Sequence, residues 1–179
     1  MYLPKGAIIS GDAGHNCIPD TGVVSLKSED QCTKEVWGLV QKRLGELGFI
    51  TKDCTPWDDE FPTVGHSLSY RVKQANSVSS ALHLSIHFNS GGGRGVECWV
   101  AENDGRSEKF ATKICETISN LGYYNKGVKV GNLYIPKYTN MPCVLIECAF
   151  IDSKEDILRY NAKDIAYAIV DAIVSLGTP

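Results

Sequence analysis

Cys143-Val144-Leu145-Ile146-Glu147-Cys148-Ala149-Phe150 decides the reading of this chain. Every position but one is apolar, and the run shows no polar alternation. That pattern suits a strand buried on both faces, as in the interior of a largely parallel sheet. The exception, Glu147, sits where charge is penalised. A buried carboxylate is costly unless it is paired, hydrogen-bonded or beside a metal. The strand that points to the fold class therefore also demands a partner for its one charge.

Outward from that strand the chain alternates between two periodicities. Residues 7–10, 49–55, 81–89 and 95–101 read as further strands, and 128–137 as irregular or strand-like. Residues 28–47 read as a helix capped by Ser28 and ended by Gly48, with Val36, Leu39, Val40, Leu44 and Leu47 at helical spacing. Residues 67–80 and 107–121 read as two more helices, and 153–176 as one long closing helix. Gly91-Gly92-Gly93 reads as a flexible loop and Asp58-Asp59-Glu60 as a solvated acidic turn. Alternating strands and helices imply an α/β fold: a twisted, mixed, largely parallel sheet flanked by helices. Residues 1–179 are expected to form a single domain, with 177–179 suiting the start of a linker.

Composition narrows the class. The chain has 179 residues, 43% hydrophobic and 22% charged, which fits one folded domain. The formal charge is -3 and Lys and Arg do not cluster, so a nucleic-acid partner is disfavoured. No apolar run approaches the roughly 20 residues of a transmembrane helix. The first residues lack a basic segment followed by an apolar one, so no secretory signal is expected. Seven scattered cysteines argue for free thiols made in a reducing compartment rather than a disulfide scaffold.

Three other polar residues share Glu147's oddity of place. His15 follows the first strand, His87 lies near the end of the 81–89 strand, and Glu29 opens the first long helix. In open α/β sheets ligands gather at the carboxyl ends of strands. Each has an ordinary alternative: a carboxylate in a first helical turn is favoured by the helix dipole, and either histidine alone could serve the backbone or the core. One zinc ion accounts for all four. Catalytic zinc takes three protein ligands and leaves a position for water, and a second carboxylate then moves protons.

The same residues carry a family resemblance. Ile9-Ser10-Gly11-Asp12-Ala13-Gly14-His15 resembles the opening Asp-x-Gly-His signature of the zinc-dependent N-acetylmuramoyl-L-alanine amidases (amidase type 3). Ser85-Ile86-His87-Phe88-Asn89-Ser90 resembles their histidine strand. The segment from Val144 to Asp156 resembles their glutamate strand and the Glu-Asp pair beyond it, and Arg71 with Ala75-Asn76 resembles the helix before the histidine strand. The resemblance implies one zinc per chain, held by His15, Glu29 and His87, with Glu147 as the catalytic glutamate. It implies cleavage of the amide between muramic acid and L-alanine in peptidoglycan. An endolysin-like setting would have the protein made in the cytoplasm and reach the wall after holin-type release or lysis.

Asn16 departs from the family pattern, standing where glycine is frequent. Asn89 and Glu97 are candidate substrate-binding residues. Arg71 is a third, pairing either with a peptide carboxylate or with a surface acid. His83, on the same strand face as His87 but roughly 13 Å away along it, reads as structural, and His66 as a surface residue. Two other functions compete: a cysteine hydrolase using Cys32, which nearby Glu29 and Asp30 disfavour by raising the thiol pKa, and a non-catalytic wall-binding module. A zinc hydrolase of another amide or ester is a third.

Overall fold

The computed structural model describes residues 3–102 and 105–177. Twelve elements follow one another among them. They are β1 (Ile8–Ala13), α1 (Glu29–Glu46), β2 (Ile50–Asp53), α2 (Val64–Asn76), β3 (Leu82–Asn89) and β4 (Val96–Val100), then α3 (Ser107–Ser119), β5 (Asn125–Val130), α4 (Tyr134–Tyr138), β6 (Cys143–Phe150), α5 (Lys154–Leu158) and α6 (Ala162–Gly177). The strands form one sheet in the order β2-β1-β3-β6-β4-β5. β1 runs parallel to β2 and β3, and β3 parallel to β6. β4 runs antiparallel to β6 and β5 follows β4, so the sheet is mixed and mostly parallel.

The central strands separate two chemistries by simple alternation. Leu82, Leu84, Ile86 and Phe88 of β3, Val144, Ile146 and Cys148 of β6, and Val96, Cys98 and Val100 of β4 share one face. They pack with α1, α3 and α6 into the main core. Each fully buried Ile or Leu there contributes roughly 1.5–3 kcal/mol. The opposite face carries Ser10, Asp12, His83, Ser85 and Glu97, all buried, and a small apolar cluster of Val72, Ile135 and Cys143 lies under α2 and α4. The buried polar residues of the strands are therefore concentrated on one side of the sheet.

Local chemistry shifts several boundaries. Residues 153–176 form two helices rather than one. Ser153 caps α5 by accepting from the Asp156 amide, and Asn161 Oδ1 accepts from the Lys163 and Asp164 amides at the start of α6. Short polar side chains compete for the backbone in this way and open a new N-terminus. α2 begins three residues earlier than residue 67 and ends at Asn76. Residues 128–137 divide between β5 and α4; Pro136 is tolerated because it lies in the first turn, where its missing N–H has no helical partner.

Thr178 and Pro179, two of the three residues read as a linker start, lie outside the described residues, and Gly177 closes α6. Among the described residues no helix is long and apolar enough to cross a membrane.

Candidate metal centre

The loop after β1 brings the first histidine into place through an unusual backbone. His15 and Asn16 have φ of 61° and 63°, the left-handed region. Asparagine is among the few non-glycine residues that visit it readily, which explains how Asn16 stands where the amidase pattern often has glycine. Its side chain also donates to the Gly14 carbonyl (2.8 Å) and to Thr33 Oγ1 (2.9 Å). Gly14 is required by contact rather than by φ. A Cβ there would lie 2.3 Å from the His87 ring, so the absence of a side chain is what lets the two histidines approach.

Three donors converge at the carboxyl ends of β1 and β3. His15 Nε2 lies 3.2 Å from Glu29 Oε1, and His87 Nδ1 lies 3.5 Å from the same oxygen. The two imidazoles meet edge to face, centroids 4.9 Å apart. Ligand atoms of His15, Glu29 and His87 all fall within 4.8 Å of one another. Glu29 is oriented by two backbone amides: Phe88 N donates to Oε1 (3.2 Å) and Val23 N to Oε2 (3.1 Å). Two imidazole nitrogens and one carboxylate oxygen make a donor set that suits catalytic zinc, so the residues fit the ion that the sequence implied.

Glu147 stands beside this group. It pairs in register with His87 across β3 and β6, and with Glu97 across β6 and β4. Its Oε2 is buried and finds no hydrogen-bond partner among the described residues. Burial pushes its carboxyl up to about 7, with the charges of Glu29 and Glu97 acting the same way and the histidines opposing. For His15, burial opposes the charged form, but the bonds to Asp20 and Glu29 outweigh it and raise the imidazole to about 10. Glu29 is likewise held well below the usual carboxylate range: the two histidines overcome a desolvation that would raise it.

The remaining sequence candidates fall in different places. Arg71 pairs with a buried acid rather than a surface one. It is 1% exposed and donates to Asp12 Oδ1 (2.8 Å), to the Ala13 carbonyl (2.7 Å) and to the His15 carbonyl. Its length and fork-shaped donors make it a strut between α2 and the His15 loop. Asn89 turns its amide to Glu97 (2.9 Å), which also lies 3.5 Å from Lys126 Nζ. His83 is fully buried between Ser10 Oγ (2.9 Å) and Asp12 Oδ2 (3.0 Å), in keeping with a structural role. All seven cysteines are unpaired and buried, and burial pushes the Cys32 thiol up, which disfavours a thiolate there. Sequence reasoning missed Asp20 and Ser67. Asp20 Oδ1 lies 2.8 Å from His15 Nδ1, and Ser67 donates to Asp20 Oδ2.

Comparison with known proteins gives the family of the chain. The family model described as N-acetylmuramoyl-L-alanine amidase matches residues 9–175, nearly the whole chain. The chain belongs to the N-acetylmuramoyl-L-alanine amidase family. Among the relatives of this amidase-family chain, an uncharacterized 38.4 kDa protein of Clostridium perfringens is 35% identical over 170 residues. That match covers 89% of this chain and 48% of the relative. The endolysin of Bacillus phage SPP1 is 28% identical, over 92% of this chain and 64% of its own length. The chain thus spans about half the length of the first curated relatives it matches. In solved structures, the amidase fold is shared with the catalytic domain of the CD27L endolysin targeting Clostridia difficile. The TM-score is 0.86 at 24% identity, covering 95% of this chain and 97% of that one.

Proposed function

We propose that this chain is a zinc-dependent hydrolase of the amide between N-acetylmuramic acid and L-alanine in peptidoglycan, with one zinc held by His15, Glu29 and His87. The observation that carries the reading is the convergence of those three donors within 4.8 Å beside the half-buried Glu147, whose buried Oε2 finds no hydrogen-bond partner among the described residues.

When bound, zinc polarises the scissile carbonyl and lowers the pKa of a water to roughly 7. The chain's own residues supply the rest. Glu147 accepts the proton of the attacking water and delivers it to the leaving nitrogen. A carboxyl whose proton affinity lies near about 7 is suited to both steps. The amides of Val23 and Phe88 hold Glu29, so this ligand does not have to be ordered on binding. Glu97 and Asn89, hydrogen-bonded to each other beside Glu147, are the candidates to meet substrate, and Glu97 keeps charge near the general base.

The biological setting we infer is an endolysin-like one: synthesis in the cytoplasm, then action on the wall after holin-type release or lysis. Its support is the similarity to a phage endolysin and the seven unpaired buried thiols. Mass spectrometry of purified peptidoglycan digested by the zinc-loaded chain tests the bond. Stem peptides bearing a free L-alanine amine are expected; cleavage only within the glycan or only within the peptide would refute the proposal.

A further inference from the structure

We propose that Asp20, clamped by Ser67 and Arg71 of α2, is a positioning residue that fixes the His15 imidazole with its proton on Nδ1 and its Nε2 facing Glu29. The inference rests on the metal reading above and adds to it a helix that supplies no ligand.

An ionised carboxylate only accepts hydrogen bonds. Asp20 Oδ1, 2.8 Å from His15 Nδ1, therefore requires the proton on that nitrogen. In the neutral ring this leaves the Nε2 lone pair on the side where Glu29 Oε1 lies 3.2 Å away and the His87 ring stands edge-on. Metal-binding histidines are commonly oriented by such an outer carboxylate. Asp20 is itself restrained. Its Oδ2 accepts from Ser67 Oγ at 2.5 Å and lies 3.8 Å from Arg71 Nη2. Ser67 and Arg71 are four residues apart, so both project from one face of α2.

The same guanidinium donates to the carbonyls of Ala13 and His15. One side chain thus braces the main chain of the ligand while its neighbour braces the ring. Behind it, Asp12 holds Arg71 through Oδ1 and meets His83 through Oδ2, and His83 meets Ser10. Asp12 alone of this buried chain of polar groups touches Arg71, so its far end gives a control for burial without the clamp. Ser10 belongs to the network but lies at its far end from His15.

The test measures zinc affinity by competition with a chromophoric chelator, together with thermal melting, for the wild-type chain, Asp20→Asn and Ser10→Ala. Asp20→Asn should bind zinc about 10- to 100-fold more weakly, while Ser10→Ala stays within about twofold of wild type at a comparable loss of melting temperature. Nitrogen-15 NMR of the zinc-loaded wild type should show a protonated His15 Nδ1 in slow exchange, and that proton should exchange faster in Asp20→Asn, whose neutral amide accepts more weakly. Wild-type affinity in Asp20→Asn, or an equal loss in Ser10→Ala, would overturn the proposal. Should Asp20→Asn fail to fold, Ser67→Ala decides: weaker binding is expected, and unchanged affinity overturns the clamp. A wild-type chain that binds no zinc would instead overturn the metal reading, and this inference with it.

Discussion

Glu147 illustrates how one side chain can be both a misfit in the core and the centre of the chemistry. Its burial raises its proton affinity, and Glu97, across the antiparallel pair, raises it further. A general base must be ionised to act, so the acid limb of kcat/KM is expected at or below about 7, because a bound cation lowers the value. Glu97→Gln removes a negative neighbour, which lowers the pKa of Glu147. The acid limb should move to lower pH by on the order of half to one unit. A limb that stays fixed or moves upward in the pH–rate profile would remove Glu97 from this role. At this scale the sequence was informative where residues sat in patterns. His15, Glu29, His87 and Glu147 could be named from motif and place. Asp20 could not, because a carboxylate in an irregular loop has no periodicity to reveal it. Arg71 was legible as a conspicuous residue but not in its orientation, which depends on where α2 lies against the loop.

Among the elements, the segment after β6 shows why boundaries were harder to read than existence. The apolar stripe of Ile165, Ile169 and Ile173 marked a helix, yet the stripe says nothing of the break at residues 159–161, where Asn161 caps a new start. α4 is five residues long, too short for periodicity to register. The glycine loop read as flexible is tied down by the acids of the same segment. Asp152 Oδ2 accepts from the Gly91 and Gly92 amides, and Asp156 Oδ2 from Gly95 and Phe150. Asp156 is 2% exposed, so its loss leaves buried donors unpaired. Asp156→Ala should lower unfolding free energy by about 2–4 kcal/mol. Denaturant titration would show this as a lower midpoint; an unchanged midpoint would mean that the loop is not held through that carboxylate.

For the molecule as a whole, the decisive feature is that the sheet separates its two faces. One face is apolar and carries α1, α3 and α6; the other gathers the polar side chains. The α/β class followed from apolar runs alternating with helical stripes, and the largely parallel sheet from the length of the 143–150 run. The reversal of β4 and β5 did not, because strand direction depends on how connections cross the sheet rather than on local composition. The metal centre is likewise a property of the assembled sheet: its three donors come from the loop after β1, the first turn of α1 and the end of β3. Elemental analysis of zinc per chain tests this account most directly. It predicts one zinc in the wild type and in Glu147→Gln, the latter inactive on peptidoglycan, and little or none in His87→Ala. Undiminished zinc in folded His87→Ala would contradict it.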